Sequence, residues 1–366
     1  MQIAEYVFTA LRGIQAGREY YVVMCPLKLV PKIFLFQEDE LPAELRSQRN
    51  LNKARIPEIA HYISDNQNNY IFSSLTASID SKVKFEKLTY KGNEIDIDEI
   101  GKLKVPMDSK ILINDGQHRR AAIEASLKEN PELGAETISI VFFIDVGLKR
   151  SQQMFADLNK HAVRPTKSIG IYYDHRDPLS NLAKELINKN DIFKFLTEIA
   201  KTSISNRSTK LFTLSSIYAG TKDLLNKKKK HPDISKKEIN LTIDFWDAVV
   251  ENIPDWILAA KRDVSTHELR LNFVHSHGLM VHALGRLGRS LIEESRLDFN
   301  TEMKKLRHID WRRSNVSIWE GRAMHNGKIS KSHDCLILTT NYLKQQFKLP
   351  LKEDELELEK KFLEKI

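Results

Sequence analysis

The chain has 366 residues, 41% of them hydrophobic and 29% charged, with a formal net charge of +8. That length can bury two cores, and no apolar run approaches the ~20 residues of a membrane-crossing helix. The two cysteines, Cys25 and Cys335, build neither a disulfide framework nor a Cys-x-x-Cys pair, which excludes a stapled secreted scaffold and a dithiol redox centre.

Charge is unevenly spread. Residues 1–150 carry 20 Lys and Arg against 21 Asp and Glu, which leaves 37 against 28 for residues 151–366. The first part sums to −1 and the second to +9. A DNA-binding second half would show this asymmetry, and so would a solvated lysine-rich surface. The stretch Met1 to Arg12 contains Glu5 and lacks a basic region followed by an apolar core, so neither export nor insertion is expected and the expected location is the cytoplasm.

Tyr20 to Met24 and Ile33 to Phe36 are β-prone runs separated by Pro26 and Pro31, and both read as strands. Cys25, beside Pro26, reads as a small buried hydrophobe rather than a reactive thiol. Asp39 to Asn50 is polar, a loop or short helix carrying Arg46 and Arg49, and a helix runs from about Lys53 to Asp65. Phe72 to Ile79 and Val83 to Leu88 read as strands. Lys91-Gly92-Asn93 is a turn before the acidic stretch Glu94 to Glu99, which reads as surface.

Lys110 to Ile113 is a buried strand that stops at Asn114-Asp115-Gly116, where a helix begins at Gln117 and runs to the boundary at Asn130-Pro131. Gly116 can take a positive φ, and Asp115 is the expected N-cap. The joint presents free backbone N–H groups and a partial positive charge beside Gln117, His118, Arg119 and Arg120. An anion fits there, a nucleotide phosphate better than a carboxylate, because arginine grips phosphate bidentately and Asp115 can hold a metal ion or orient a water. A strand, an Asp-Gly turn and a helix are equally a common structural joint.

Ile138 to Val146 is an unbroken apolar run suited to a central strand, and the helix Ser151 to Leu158 delivers Asn159, Lys160 and His161. With Arg164 and Lys167 after the next turn, Asn159 and Lys160 form a second constellation expected to line the same cleft. Beyond residue 170 the texture is helical: Ser180 to Lys189, Asp191 to Ala200, Leu211 to Lys227, Lys237 to Glu251 and Pro254 to Lys261. Lys227 to Lys230 form a basic hairpin, a DNA contact or a solvated linker. His275, His277 and His282 read as packing residues, since no Cys or carboxylate completes a zinc-like set in their stretch.

Lys304 to Lys331 interleaves Lys304, Lys305, Arg307, Arg312, Arg313, Arg322, Lys328 and Lys331 with Trp311 and Trp319, and it is the candidate DNA contact. The indoles read as core more readily than as stacking platforms. Leu351 to Ile366 is a charged amphipathic helix, a packing or dimer element that makes a homo-oligomer an expectation.

Asp115-Gly116-Gln117-His118-Arg119 is identified as the Asp-Gly-Gln-His-Arg (DGQHR) signature of the family named after it, within the ParB-like and sulfiredoxin-like superfamily. Arg55 to Ile63 resembles that superfamily's upstream helix, and Phe155 to Lys160 resembles its downstream helix. Sulfiredoxin itself is set aside, because its signature carries a nucleophilic cysteine where this chain has Gln117. With its length and C-terminal segments, the whole resembles the DndB family of DNA phosphorothioation.

The resemblance implies an α+β protein: a ParB/sulfiredoxin-like mixed α/β domain over 1–170 and a basic, all-α, DNA-binding domain over 171–366. It implies a repressor that binds the double-stranded operator of its own modification operon, an accessory to the phosphorothioation enzymes, and a nucleoside triphosphatase using ATP or another NTP with Mg²⁺. In that scheme Asp115 binds the metal, Gln117 or His118 orients the attacking water, and Arg119 and Arg120 hold phosphates with Gly116, Asn159, Lys160 and Arg164. Lys304, Lys305, Arg307, Arg312, Arg313 and Arg322 contact DNA. Two alternatives are a pure repressor without catalysis and a metal-dependent DNA nickase.

Overall fold

A computed structural model describes residues 4–34, 52–90, 93–94, 97–148, 150–160, 165–205, 207–229 and 232–364. The protein is mixed α/β, with one large mixed sheet and many helices, and it divides into two compact units, Met1–Val163 and Arg164–Ile366. Among the described residues no helix is long and apolar enough to cross a membrane.

The first unit begins with two long antiparallel strands, β1 (Glu5–Gln15) and β2 (Arg18–Pro26), followed by a short helix α1 (Val30–Ile33) and helix α2 (Arg55–Asp65). Strands β3 (Leu75–Asp80), β4 (Lys84–Lys87), β5 (Thr89–Tyr90), β6 (Asn93–Glu94), β7 (Ile100–Pro106) and β8 (Lys110–Asp115) come next. Helix α3 (Gln117–Glu129), strand β9 (Thr137–Ile144) and helix α4 (Ser151–Lys160) complete the unit. Seven strands form one sheet in the order β4-β7-β1-β2-β9-β3-β8, and β5 pairs with β6 apart from it.

Among the described residues only β3 and β9 run parallel in the large sheet; every other neighbouring pair is antiparallel. The unbroken apolar run of β9 suits its place between β2 and β3. Ile138, Ile140 and Phe142 are buried with Val23, Leu75, Ala77 and Leu103 in the unit's core.

One departure from the expected elements has a local cause. Ile33 ends a helical turn rather than starting a strand, because Pro31 sits in the helix's first turn, where its fixed φ is suited to helix. Phe36, Asp39 to Asn50 and Lys91-Gly92 lie outside the described residues.

The second unit is helical: α5 (Lys167–Tyr173), α6 (Pro178–Lys189), α7 (Asp191–Leu196), α8 (Leu214–Leu224), α9 (Lys236–Glu251), α10 (Pro254–Lys261), α11 (Thr266–Asn272) and α12 (Gly278–Glu293). After the short α13 (Phe299–Glu302) and α14 (Val316–Trp319) come α15 (His333–Gln346) and α16 (Glu353–Leu363). Two ladders that the helical expectation did not include interrupt it. Thr197–Glu198 pairs parallel with Phe212–Thr213, and Met324–His325 pairs antiparallel with Lys328–Ile329.

Helices α8 and α12 cross closely because Gly220 and Gly285 face each other, so that a Cβ on either would strike the other helix's backbone. Trp246, Trp256, Phe193 and Phe212 interlock edge to face in the core.

Candidate functional site

Strand β8 lies at the edge of the sheet and ends at Asp115, so the signature turn sits at the sheet's border. Gly116 turns the chain with φ of 102°, and a Cβ there would collide with the side chain of Leu75 on the neighbouring strand. Both facts demand glycine. Helix α3 starts directly after it with no side-chain cap, because the Asp115 carboxylate is spent elsewhere and the expected Asp115 N-cap does not form.

That carboxylate accepts from Arg119 Nη2 at 2.6 Å. Nη1 of Arg119 donates to the carbonyls of Ser73 (2.6 Å) and Ser74 (3.0 Å) and to the Ser73 hydroxyl. Arg120 is held likewise: Nη1 meets Glu124 at 2.6 Å, Nη2 meets the Pro31 carbonyl at 3.3 Å, and Nε is buried without a partner. Their side chains are 16% and 14% exposed, so both guanidinium groups face protein.

Of the two remaining side chains of the signature, Gln117 keeps unspent chemistry and His118 does not. The Gln117 amide nitrogen is buried with no hydrogen-bond partner. His118 sits below the usual imidazole range, first through burial and then through the Arg55 cation nearby, so it is neutral at pH 7, with Nε2 accepting from the Asn52 amide at 3.2 Å. An imidazole whose lone pair already takes an N–H is not free to accept a proton from water.

Beneath the turn runs a polar chain that sequence reasoning missed. Asn114, fully buried, donates to Ser78 Oγ at 2.7 Å and accepts from Ser151 Oγ at 3.0 Å. It ties β3, β8 and the first residue of α4 together. The available signal was an amide inside an apolar strand, which needs partners once buried.

Of the second constellation, Arg164 lies outside the described residues, as do the side chains of Asn159 and Lys160 at the end of α4. Lys167 begins α5 in the second unit and is exposed.

The basic stretch from Lys304 to Lys331 is largely engaged inside its own unit. Arg322, 6% exposed, forms an ion pair with Glu359, which also accepts from Asn341 and Gln345. Arg307 donates to Asn252 and to the Glu251 carbonyl, and Arg313 to the carbonyls of Arg270 and Gly327. Lys305 bonds Glu302 at 2.7 Å and lies over the Phe347 ring. Arg312 is exposed and forks onto Asp310, holding that carboxyl well below its usual range, whereas Lys304 is exposed to solvent. Trp311 and Trp319 stack on each other in the core, with their ring N–H groups given to the carbonyls of Leu306 and Asp310.

The three histidines of residues 275–282 stand in different settings. His275 is buried between Asp255 (2.9 Å) and the Trp256 N–H (3.1 Å), and it precedes α12 rather than sharing a helix face with His282. His282 faces Asp223 at 3.3 Å. His277 is pushed down to about 4, first by burial and then by the cations of Arg313 and Arg270. Among the described residues no three His, Cys, Asp or Glu converge on a metal position. Cys25 is fully buried, and burial raises its thiol to about 12, far from the range of a nucleophile.

A family model described as DndB, DNA-sulfur modification-associated, matches residues 8–350, nearly the whole chain. No curated protein and no solved structure matches.

Proposed function

Since the chain belongs to the DndB family and so takes part in DNA sulfur modification, we propose that it serves that modification by binding double-stranded DNA and regulating its own operon. The observation that carries this reading is the charge of the second unit: residues 164–366 hold 36 Lys and Arg against 27 Asp and Glu, while the first unit is close to neutral. Phosphate neutralisation is the main source of affinity for DNA, and it calls for an excess of this kind. Within residues 304–331 the exposed cations are Lys304, Arg307, Arg312, Lys328 and Lys331, and of these all but Arg307, which is held by Asn252 and the Glu251 carbonyl, are available for DNA. Arg307, Arg313 and Arg322 hold the fold.

We read the first unit as a ParB-like DGQHR domain, supported by the run of edge strand, Asp-Gly turn and helix from β8 to α3. The test is fluorescence anisotropy of the full chain with a duplex from upstream of the modification operon and with a scrambled duplex, across a salt series. The expected result is tighter binding to the upstream duplex and affinity that falls steeply with salt. Equal affinity for the two duplexes removes the regulatory role, and absence of binding removes the DNA role altogether.

A second reading, nucleotide binding and hydrolysis at the signature, draws support from the uncapped start of α3 beside the unpartnered Gln117 amide. Mg²⁺ with one protein carboxylate and phosphate oxygens is ordinary coordination, and Asp115 suits that part. Arg119 and Arg120 would have to leave Asp115, Ser73 and Glu124 to grip phosphates, which is why this reading stands second. A thermal-shift series of ATP, GTP and CTP with and without Mg²⁺, paired with phosphate release, tests it on the parent and on Gln117→Ala. A shift confined to the parent supports the site. No shift in either protein and no released phosphate sinks it.

A further inference from the structure

In the second unit a cavity of about 330 Å³ opens beside the start of α12, and a smaller one of about 160 Å³ adjoins it. They share Thr202, Thr213, Gly278 and Lys331 as walls. Cations reach this space from separate parts of the chain: Lys167 from the first residue of α5, Arg270 from α11, Arg313 from the turn before α14, and Lys331 from the segment before α15. Among the described residues no Asp or Glu lines either cavity.

Arg313 is fixed in place by neutral groups. Arg313 donates to the carbonyls of Arg270 and Gly327, and Arg270 donates to those of Lys210, Ser205 and Ser208. Carbonyls orient a guanidinium plane but leave its full charge standing, unlike the carboxylates that meet Arg119 and Arg322. The pKa of His277 in the same wall is depressed first by burial and then by the cations of Arg313 and Arg270.

Neutral donors complete the lining. The hydroxyls of Thr202, Ser203 and Ser215 border the space, and so do Gly278 and Leu279, the first residues of the 16-residue α12, whose start has no side-chain cap. Its dipole adds partial positive charge at the same place. Several cations and several neutral donors around one small volume suit a tetrahedral oxyanion of charge near −2 better than a single carboxylate.

We propose that this cavity is a binding site for a phosphate group, with Lys331 reaching both lobes, Arg313 lining the larger one and Lys167 the smaller. The phosphate comes either from a small phosphorylated molecule or from a DNA backbone. The inference does not rest on the DNA reading, since the first source needs no DNA.

The test uses the full chain and the double variant Lys167→Gln/Lys331→Gln. Both lysines are exposed, so the variant should keep the parent's melting temperature. Lys82→Gln/Lys128→Gln removes the same charge from exposed positions of the first unit and serves as control. Pyrophosphate is titrated by calorimetry, and a labelled duplex by anisotropy over a salt series. Saturable one-to-one pyrophosphate binding, weakened about tenfold in the cavity variant alone, supports the small-molecule source. Duplex binding weakened about tenfold in that variant alone, with a salt slope smaller by about 1.8 and no pyrophosphate binding, supports the backbone source. If the cavity variant binds both probes like the parent and the control, the site does not exist, and a duplex affinity retained throughout would leave the DNA reading standing without it.

Discussion

The turn at Gly116 and the cavity at Gly278 each set arginines at the start of a helix that lacks a side-chain cap, and they settle those charges differently. At Gly116 the guanidinium groups close onto Asp115 and Glu124, so the joint is electrically complete within the protein. At Gly278 Arg313 leans on the carbonyls of Arg270 and Gly327, and its positive charge stays available. The stretch that stands out most in the sequence is thus the one whose charges are already matched. The surplus charge gathers where no local pattern announces it.

The largest expected effect comes from a matched arginine. Arg322→Ala removes one partner of a buried pair and strands Glu359 among Asn341 and Gln345, at a cost of roughly 3–5 kcal/mol in urea unfolding of the full chain. A loss below about 1 kcal/mol would show that carboxylate matching does not anchor cations here.

The burial of His277 beside the cavity, with the cations near it, gives the next effect, read through pH. His277 has a folded pKa near 4 against 6.5 for an ordinary histidine, so the folded protein refuses a proton that the unfolded chain accepts. A depressed pKa contributes stability that is present above about 6.5 and is lost as pH falls toward 4, about 3 kcal/mol at the end of that window. Buried His275, also depressed, acts in the same direction, while its partner Asp255 favours the proton on it. His277→Asn should flatten the profile between pH 6.5 and 4. A profile as steep as the parent's would place the acid sensitivity elsewhere.

Arg119→Ala comes next, at roughly 2–3 kcal/mol, because it leaves the Ser73 and Ser74 carbonyls short of a donor, while half-exposed Asp115 can rehydrate. Thermal unfolding measures it. A parent-like melting temperature would mean that the arginine is idle in the fold and free for a ligand, which would promote the nucleotide reading over the joint.

These contrasts also explain what the sequence could disclose. Strand β9, helix α3 and the helices from α6 to α10 were legible because their signals are local: an unbroken apolar run, a turn glycine, apolar residues at three and four spacing. Strand β1 was not, because Val7 and Leu11 are exposed on the face opposite Phe8 and Ala10, and Ile14, on the same face as Phe8 and Ala10, is exposed near the strand's end, which blurs the alternation. Strand β7 did alternate, with Leu103 and Val105 inward and Lys102 and Lys104 facing away, and could have been found. The motif showed where a joint would form, but a chain of letters cannot tell whether Arg119 points at a ligand or at Ser73. The cavity was illegible for another reason: Lys167, Arg270, Arg313 and Lys331 are up to 164 positions apart, and only the packing of α5, α8, α11 and α12 assembles them.

The smallest effect divides the basic stretch itself. Lys304 and Arg312 are both exposed, but Arg312 shares its charge with Asp310 through a forked pair at 2.8 and 2.7 Å, whereas Lys304 presents its ammonium to solvent. A DNA phosphate approaching Arg312 therefore also meets the Asp310 carboxylate, and the two contributions largely cancel. Lys304→Gln should lower duplex affinity about threefold and reduce the salt slope by about 0.9, the amount for one phosphate contact, while Arg312→Gln should change the slope less. Neither substitution should move the melting temperature, since neither side chain is buried. An Arg312 variant that loses more duplex affinity than the Lys304 variant would show that its guanidinium leaves Asp310 for DNA, and that a matched cation on a surface, unlike one locked inside at Arg322, remains available to a partner.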